Sequence, residues 1–266
     1  VTGARGRLAA LALGLGLALS APGPALAQAE ADRETHEWIQ VPVGFQQAIR
    51  AVVVWPGGQR RGPVVIVLHG TEGFDESDVE LARQFAHAGF VGVAACWFAG
   101  EACPRGPAFR GATMDATESL RALLAALRRL PAARLEKVGF FGHSRGATLS
   151  LLLAAGGGVD AVVASGTQIA PQVTAGRRPV AIDASPLDAV ATLRAPVLLL
   201  HGTADPVTDV TWTRRYEQAL RDAGKPVEAY YYAGGPHLLP FDAQTREDVM
   251  RRSIAFLRRH LLGWSP

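Results

Sequence analysis

The stretch Val138-Gly139-Phe140-Phe141-Gly142-His143-Ser144-Arg145-Gly146-Ala147-Thr148-Leu149 decides the fold. An apolar run, Val138–Phe141, enters a turn with serine at its apex. A helix-like run, Ala147–Ala155, leaves it. A serine at such a strand-to-helix turn sits in a strained backbone, commonly at positive φ. Its neighbours two residues away must lack bulk so that strand and helix can approach closely. Gly142 and Gly146 meet that need. The helix N-terminus behind Ser144 presents N–H groups without intrahelical partners to a developing negative charge.

Working outward, the pattern repeats as strand then helix. Pro63–His69, Phe90–Cys96, Val159–Ala164 and Val197–His201 are apolar runs suited to strands buried on both faces. Glu80–Ala88, Asp115–Leu130, Thr211–Ala223 and Arg246–Leu262 read as helices, and Val227–Tyr232 as a last strand. Trp38–Val43 and Ala48–Trp55 read as an antiparallel opening pair. Alternation from Val64 onward predicts an α/β fold: a mostly parallel central sheet with helices on both faces and no large cap domain.

A serine hydroxyl is a weak nucleophile near neutral pH. It needs a base to take its proton, and the base needs an orienting carboxylate. In an open α/β sheet both belong on loops leaving the carboxyl ends of strands. Val197–His201 is followed by Gly202-Thr203-Ala204-Asp205-Pro206, and Tyr230–Tyr232 by Ala233-Gly234-Gly235-Pro236-His237. The expected catalytic set is therefore Ser144, Asp205 and His237, in the chain order such a fold requires. Asp209 is the rival carboxylate, better placed to cap the helix near Thr211. His69 and His201 end strands and are expected to pack near the site, and His143 to fill space beside the serine. The oxyanion donors should be the backbone N–H groups of Arg145 and of Thr71, with Glu72 the second choice in the loop His69–Gly73. Trp97 and Phe98, just past a strand end, are candidates to line the substrate pocket; ordinary core packing is the alternative.

With these pieces in place the chain resembles the α/β-hydrolase superfamily, and within it the dienelactone-hydrolase-like branch. His69-Gly70-x-x-Gly73, Gly142-His143-Ser144-Arg145-Gly146, Leu200-His201-Gly202-x-x-Asp205 and Gly235-Pro236-His237 carry the likeness. The resemblance implies an α/β-hydrolase fold. Dienelactone hydrolase itself has cysteine as its nucleophile where this chain has Ser144, which favours a general serine esterase, lactones included, over a dienelactonase. Glu72 falls near an acidic residue that the family uses close to its nucleophile. A peptidase or acyltransferase could use the same triad, and a binding protein could use the same scaffold.

Composition bounds the rest. The 266 residues are 48% hydrophobic, enough for one sizeable core. Arg5 and Arg7, the apolar run Leu8–Leu19 and Ala25-Leu26-Ala27 read as an export signal over residues 1–27, with the catalytic domain over 28–266. The run is too short to span a bilayer comfortably, so periplasmic or secreted protein without stable membrane insertion is expected. Without that segment the formal charge of +3 falls to +1. Short pairs such as Arg60-Arg61 read as solvated surface, not as a nucleic-acid footprint. No CxxC and no clustered His/Cys spacing suggests a metal, and no cofactor is expected. The partner expected is a small-molecule ester; oligomeric state stays open. Cys96 and Cys103 are the two cysteines. A disulfide or two buried thiols are both compatible with their spacing.

Overall fold

The computed structural model describes residues 35–44, 47–57, 60–97, 113–130, 137–169 and 184–264. The proposed signal segment, Phe98 and Cys103 lie outside these residues. Eight strands form one sheet: β1 (Thr35–Gly44), β2 (Gln47–Trp55), β3 (Val64–Leu68), β4 (Val91–Ala95), β5 (Val138–His143), β6 (Ala161–Ser165), β7 (Val197–Gly202) and β8 (Val227–Tyr232). Their spatial order is β1-β2-β4-β3-β5-β6-β7-β8. β1 and β2 pair antiparallel, β2 meets β4 antiparallel, and every pairing from β4 to β8 is parallel.

Among the described residues five helices cover the faces: α1 (Glu76–His87), α2 (Thr113–Leu127), α3 (Arg145–Ala155), α4 (Val210–Asp222) and α5 (Arg246–Leu257), the last running into a π turn at Arg258–Leu262. Strand-to-strand crossovers are right-handed, so the direction of travel along the sheet decides the face a helix takes. From β3 the chain steps outward to β4 through α1. It then turns back across β3 to β5 and continues through α3 and α4 to β8. The outward step and the return use opposite faces. One core cluster accordingly gathers Leu120, Leu123, Leu149, Tyr216 and Leu220 from α2, α3 and α4. The other gathers Val79, Phe85, Val249, Phe256 and Leu257 from α1 and α5. Strand alternation feeds both layers: Phe140 packs in the first and Phe141 in the second, each fully buried. Such burial stabilises by about 1.5–3 kcal/mol per phenylalanine.

Helix α1 begins at Glu76, four residues before the apolar pattern predicts. Its first turn, Glu76-Ser77-Asp78, is polar and hides the period. What starts it is a capping box: Asp75 accepts from Ser77 N–H at 2.8 Å, and Asp78 accepts from Asp75 N–H at 3.0 Å.

Register aligns the carboxyl ends of the parallel strands. Leu68 pairs with Gly142, His143 with Ser165, Ser165 with Leu200, and Gly202 with Tyr232. The strand order reverses at β3, between β4 and β5. That switch point is where an open parallel sheet leaves a crevice.

Candidate active site

Ser144 sits at that crevice, between β5 and α3, with φ 53° and ψ −117°. Among the described residues it is the one non-glycine at positive φ. Such a conformation costs of order 1–3 kcal/mol and persists only where its surroundings impose it. They do so here. Ser144 N–H donates to Ser165 O at 2.8 Å, and Ser144 O accepts from Ala147 N–H at 3.1 Å. A Cβ on Gly142 would lie 2.5 Å from Ala147 Cα, and one on Gly146 would lie 2.2 Å from Leu68 O and 2.5 Å from His69 O. Helix α3 is thereby pressed onto the end of β3, which brings the loop His69–Gly73 beside the serine.

That loop is held by its own polar groups. His69 Nδ1–H donates to Gly70 O at 2.7 Å, and Gly73 N–H donates to the same oxygen at 3.4 Å. Gly70 N–H donates to Glu72 Oε1 at 2.9 Å, and the Glu72 carboxylate also draws its own backbone N–H. The amides of Gly70, Glu72 and Gly73 are thus engaged within the loop. Arg145 opens α3, where the first N–H groups have no intrahelical acceptor. Trp97 braces the loop from behind. It is 1% exposed, stacks on the His69 ring at 5.2 Å and donates through Nε1 to His69 O at 2.9 Å. The structure therefore places Trp97 in the packed wall of the loop. The neighbouring Cys96 is disulfide-bonded, and Cys103 is the other cysteine in the sequence.

The opposite corner is built from the ends of β7 and β8. Thr203 N–H donates to Tyr232 O at 2.8 Å, Ala204 N–H to Gly235 O at 3.0 Å, and Gly234 N–H to Thr203 Oγ1 at 2.8 Å. These bonds stitch the two loops together and set Asp205 against His237. His237 Nδ1–H donates to Asp205 Oδ2 at 2.7 Å. The same oxygen accepts from Thr208 Oγ1 at 2.7 Å and lies 3.2 Å from His201 Nε2. Asp205 Oδ1 accepts from the N–H groups of Val207 and Thr208 at 2.7 and 2.9 Å. Burial alone would raise the Asp205 pKa. Hydrogen bonds from His201 and His237, the His237 charge and the Thr208 amide outweigh it and hold the carboxyl well below its usual range. Asp209 instead caps α4, accepting from Thr211 N–H at 2.8 Å.

The His237 ring reaches across the strand ends toward the serine. A Cβ on Gly166 would lie 3.2 Å from His237 Nδ1, and the ring centroid is 5.1 Å from that of His143, the residue before Ser144. The Asp205–His237 half of the array is hydrogen-bonded; among the described residues Ser144 Oγ makes no hydrogen bond to His237. In unliganded sites such contacts are often long and tighten with substrate. His143 itself is fully buried, and burial pushes its pKa down to about 3, with the His237 charge adding to the effect. Burial likewise lowers His69 to about 4, against the opposing bond to the Gly70 carbonyl.

Sequence reasoning placed His201 only near the site and did not single out Thr208. His201 accepts from Thr213 Oγ1 at Nδ1, 2.8 Å, which leaves the proton on Nε2, facing Asp205. Thr208 holds both oxygens of the same carboxylate, by its amide and its hydroxyl. The four-residue step from His201 to Asp205 around a tight turn was the available signal.

Comparison with known proteins gives the family and the fold. The family model for the dienelactone hydrolase family matches residues 49–260. A Bradyrhizobium protein described as a probable 2-oxo-3-(5-oxofuran-2-ylidene)propanoate lactonase is 26% identical over 247 residues, covering 85% of this chain and 95% of its own. A dienelactone hydrolase-like promiscuous phosphotriesterase from metagenomic libraries superposes with a TM-score of 0.69 at 18% identity, over 86% of this chain and 99% of its own. The acylaminoacyl peptidase of Pyrococcus horikoshii gives a TM-score of 0.70 at 16% identity over 92% of this chain, which spans only 45% of that peptidase. A match over most of the chain, on a sheet that turns its strand ends toward one crevice, makes this protein a hydrolase of the dienelactone hydrolase family.

Proposed function

We propose that the protein is a serine hydrolase that cleaves carboxylic esters, lactones among them, through an acyl-enzyme. The observation that carries this reading is the strained Ser144 elbow at the crevice into which the Asp205–His237 pair leans. Ser144 Oγ attacks the acyl carbon while His237 Nε2 takes its proton. The carbonyl oxygen becomes an oxyanion that accepts from Thr71 N–H and Arg145 N–H. His237 then protonates the leaving alkoxide, and the acyl-enzyme forms. Water attacks the acyl carbon, giving its proton to His237, and Ser144 is released with the acid. Asp205 keeps the His237 proton on Nδ1 and stabilises the imidazolium without itself becoming protonated.

Fluorophosphonate labelling of Ser144, lost in Ser144→Ala, tests the nucleophile. A panel of p-nitrophenyl esters, lactones and peptide amides tests the bond cleaved. Turnover of amides above esters would move the reading to a peptidase. The disulfide at Cys96 supports an exported protein, with the mature chain starting near Gln28, which N-terminal sequencing tests.

A further inference from the structure

Thr208 stands where the loops after β6, β7 and β8 meet, and it is buried. Its hydroxyl oxygen lies 2.7 Å from Asp205 Oδ2, 3.3 Å from His237 Nδ1, 3.4 Å from His201 Nε2 and 3.3 Å from Gly166 O. Gly166 follows Ser165, whose carbonyl accepts from Ser144 N–H. The side chain thus touches the acid, the base and the strand end that holds the backbone of the serine.

A hydroxyl has one proton to give and two lone pairs to offer. The proton goes to Asp205 Oδ2, the nearest acceptor and the charged one. The lone pairs then face Nδ1–H of His237 and Nε2–H of His201. Both rings carry their protons on those atoms, since His237 Nδ1–H donates to Asp205 Oδ2 and His201 Nδ1 accepts from Thr213 Oγ1. The hydroxyl dipole therefore points its positive end at the carboxylate and its negative end at the two imidazole N–H groups. The backbone of Thr208 acts in the same sense: its amide donates to Asp205 Oδ1 at 2.9 Å, and its carbonyl accepts from His201 Nε2–H at 3.1 Å.

We propose that the Thr208 hydroxyl is a positioning group for the base: it fixes Asp205 Oδ2 against His237 Nδ1 and gives that N–H a second oxygen, so that Nε2 stays free to take the serine proton. The inference rests on the serine hydrolase reading above. Without the hydroxyl, Oδ2 loses a donor in a buried place, and the carboxylate can turn toward His201 and away from His237. His237 serves as base in acylation and again in deacylation, so a misaligned imidazole slows both steps alike. Substrate binding is untouched, because Thr208 faces the far side of the ring, at Nδ1.

The test compares Thr208→Val, which removes the hydroxyl and keeps the branched shape, with Thr208→Ser, which keeps the hydroxyl. On the best p-nitrophenyl ester of the panel, Thr208→Val should lose about tenfold in kcat with KM within about twofold, and Thr208→Ser should return to within about threefold of wild type. Thermal melting checks that the variants are folded, and Thr208→Ala replaces a valine variant that is not. Proton NMR gives a second readout that needs no substrate. The low-field Nδ1–H signal of His237, identified by its loss in His237→Gln, should be present in wild type and Thr208→Ser and broadened by exchange in Thr208→Val. A kcat for Thr208→Val within about twofold of wild type, or a Thr208→Ser as impaired as Thr208→Val, overturns the inference and leaves the hydrolase reading standing. A wild type that turns over no ester of the panel overturns the hydrolase reading itself; the NMR signal then decides, and one equally sharp in Thr208→Val overturns the positioning role as well.

Discussion

The two corners of the crevice are built on opposite principles. At the β7–β8 corner every oxygen of Asp205 is met by a donor, and the carboxylate is held ionised in a buried place. At the β3–β5 corner polar groups are buried without saturation: His143 makes no hydrogen bond at either ring nitrogen and is pushed neutral, and Ser144 is held in a strained turn. The first corner must carry charge before substrate arrives, so its donors are already in place. Under the proposed function the second receives a reacting carbonyl at the strained serine. Preorganised charge on one side and a strained nucleophile on the other would suit that chemistry.

The sharpest way to break this comparison is at the strained corner. Ser144→Ala should lower ester turnover by roughly three to six orders of magnitude with the fold intact, since the covalent step is lost and only binding and oxyanion donors remain. Ser144→Gly should be equally inactive but melt at a higher temperature than Ser144→Ala, because glycine tolerates φ 53° and alanine does not. Equal melting temperatures would show that the turn is not strained.

At the saturated corner, Asp205→Asn should lower kcat by about 10⁴, because an amide in that place favours the wrong imidazole tautomer. Asp209→Asn should leave kcat within about twofold, since it merely trades one helix cap for another. Reversed effects would make Asp209 the acid.

A smaller effect probes the donor shell. His201→Gln should reduce kcat by about tenfold, as Asp205 loses a donor that favours its ionised form. An unchanged kcat would mean that His201 only fills space.

The last test is on stability. His143 and His69 have folded pKa values depressed to about 3 and about 4, so the unfolded chain binds more protons below about 6.5. Stability should therefore fall as pH is lowered from about 6.5 toward 4, and Asp205, also depressed, should add to the loss below about pH 4. Urea unfolding against pH measures this. His143→Leu should flatten the slope by up to about 1.4 kcal/mol per pH unit, the limit for one titrating group.

Much of the fold was legible because the buried strands announce themselves. Val64–Leu68, Val138–Phe141 and Val197–Leu200 are apolar without interruption, as only a strand covered on both faces can be. Helix α1 was misjudged at its start because its first turn is anchored by side-chain caps and not by apolar period. The same limit hid Thr208 and the role of His201. Their meaning lies in hydrogen bonds to Asp205, and no periodicity reports a hydrogen bond. Trp97 was legible as a residue near a strand end, yet whether it faces a pocket or the back of the His69 loop depends on ring packing that a single sequence does not encode.

By itself the sequence determined the order of elements, the serine elbow and the two loops that carry Asp205 and His237, because each is written in local spacing: apolar runs, glycines flanking a turn, a carboxylate and an imidazole just past strand ends. Only the tertiary structure decided which of these meet. Strand order reverses at β3, which sets the loop after β3 beside the elbow after β5. Parallel register lines up His143, Ser165, Leu200 and Tyr230 at one end of the sheet. Asp205 and His237 lie 32 residues apart in the chain and 2.7 Å apart in space. That distance is set by backbone hydrogen bonds between two loops, and so by the pairing of β7 with β8, a long-range choice that no local pattern contains.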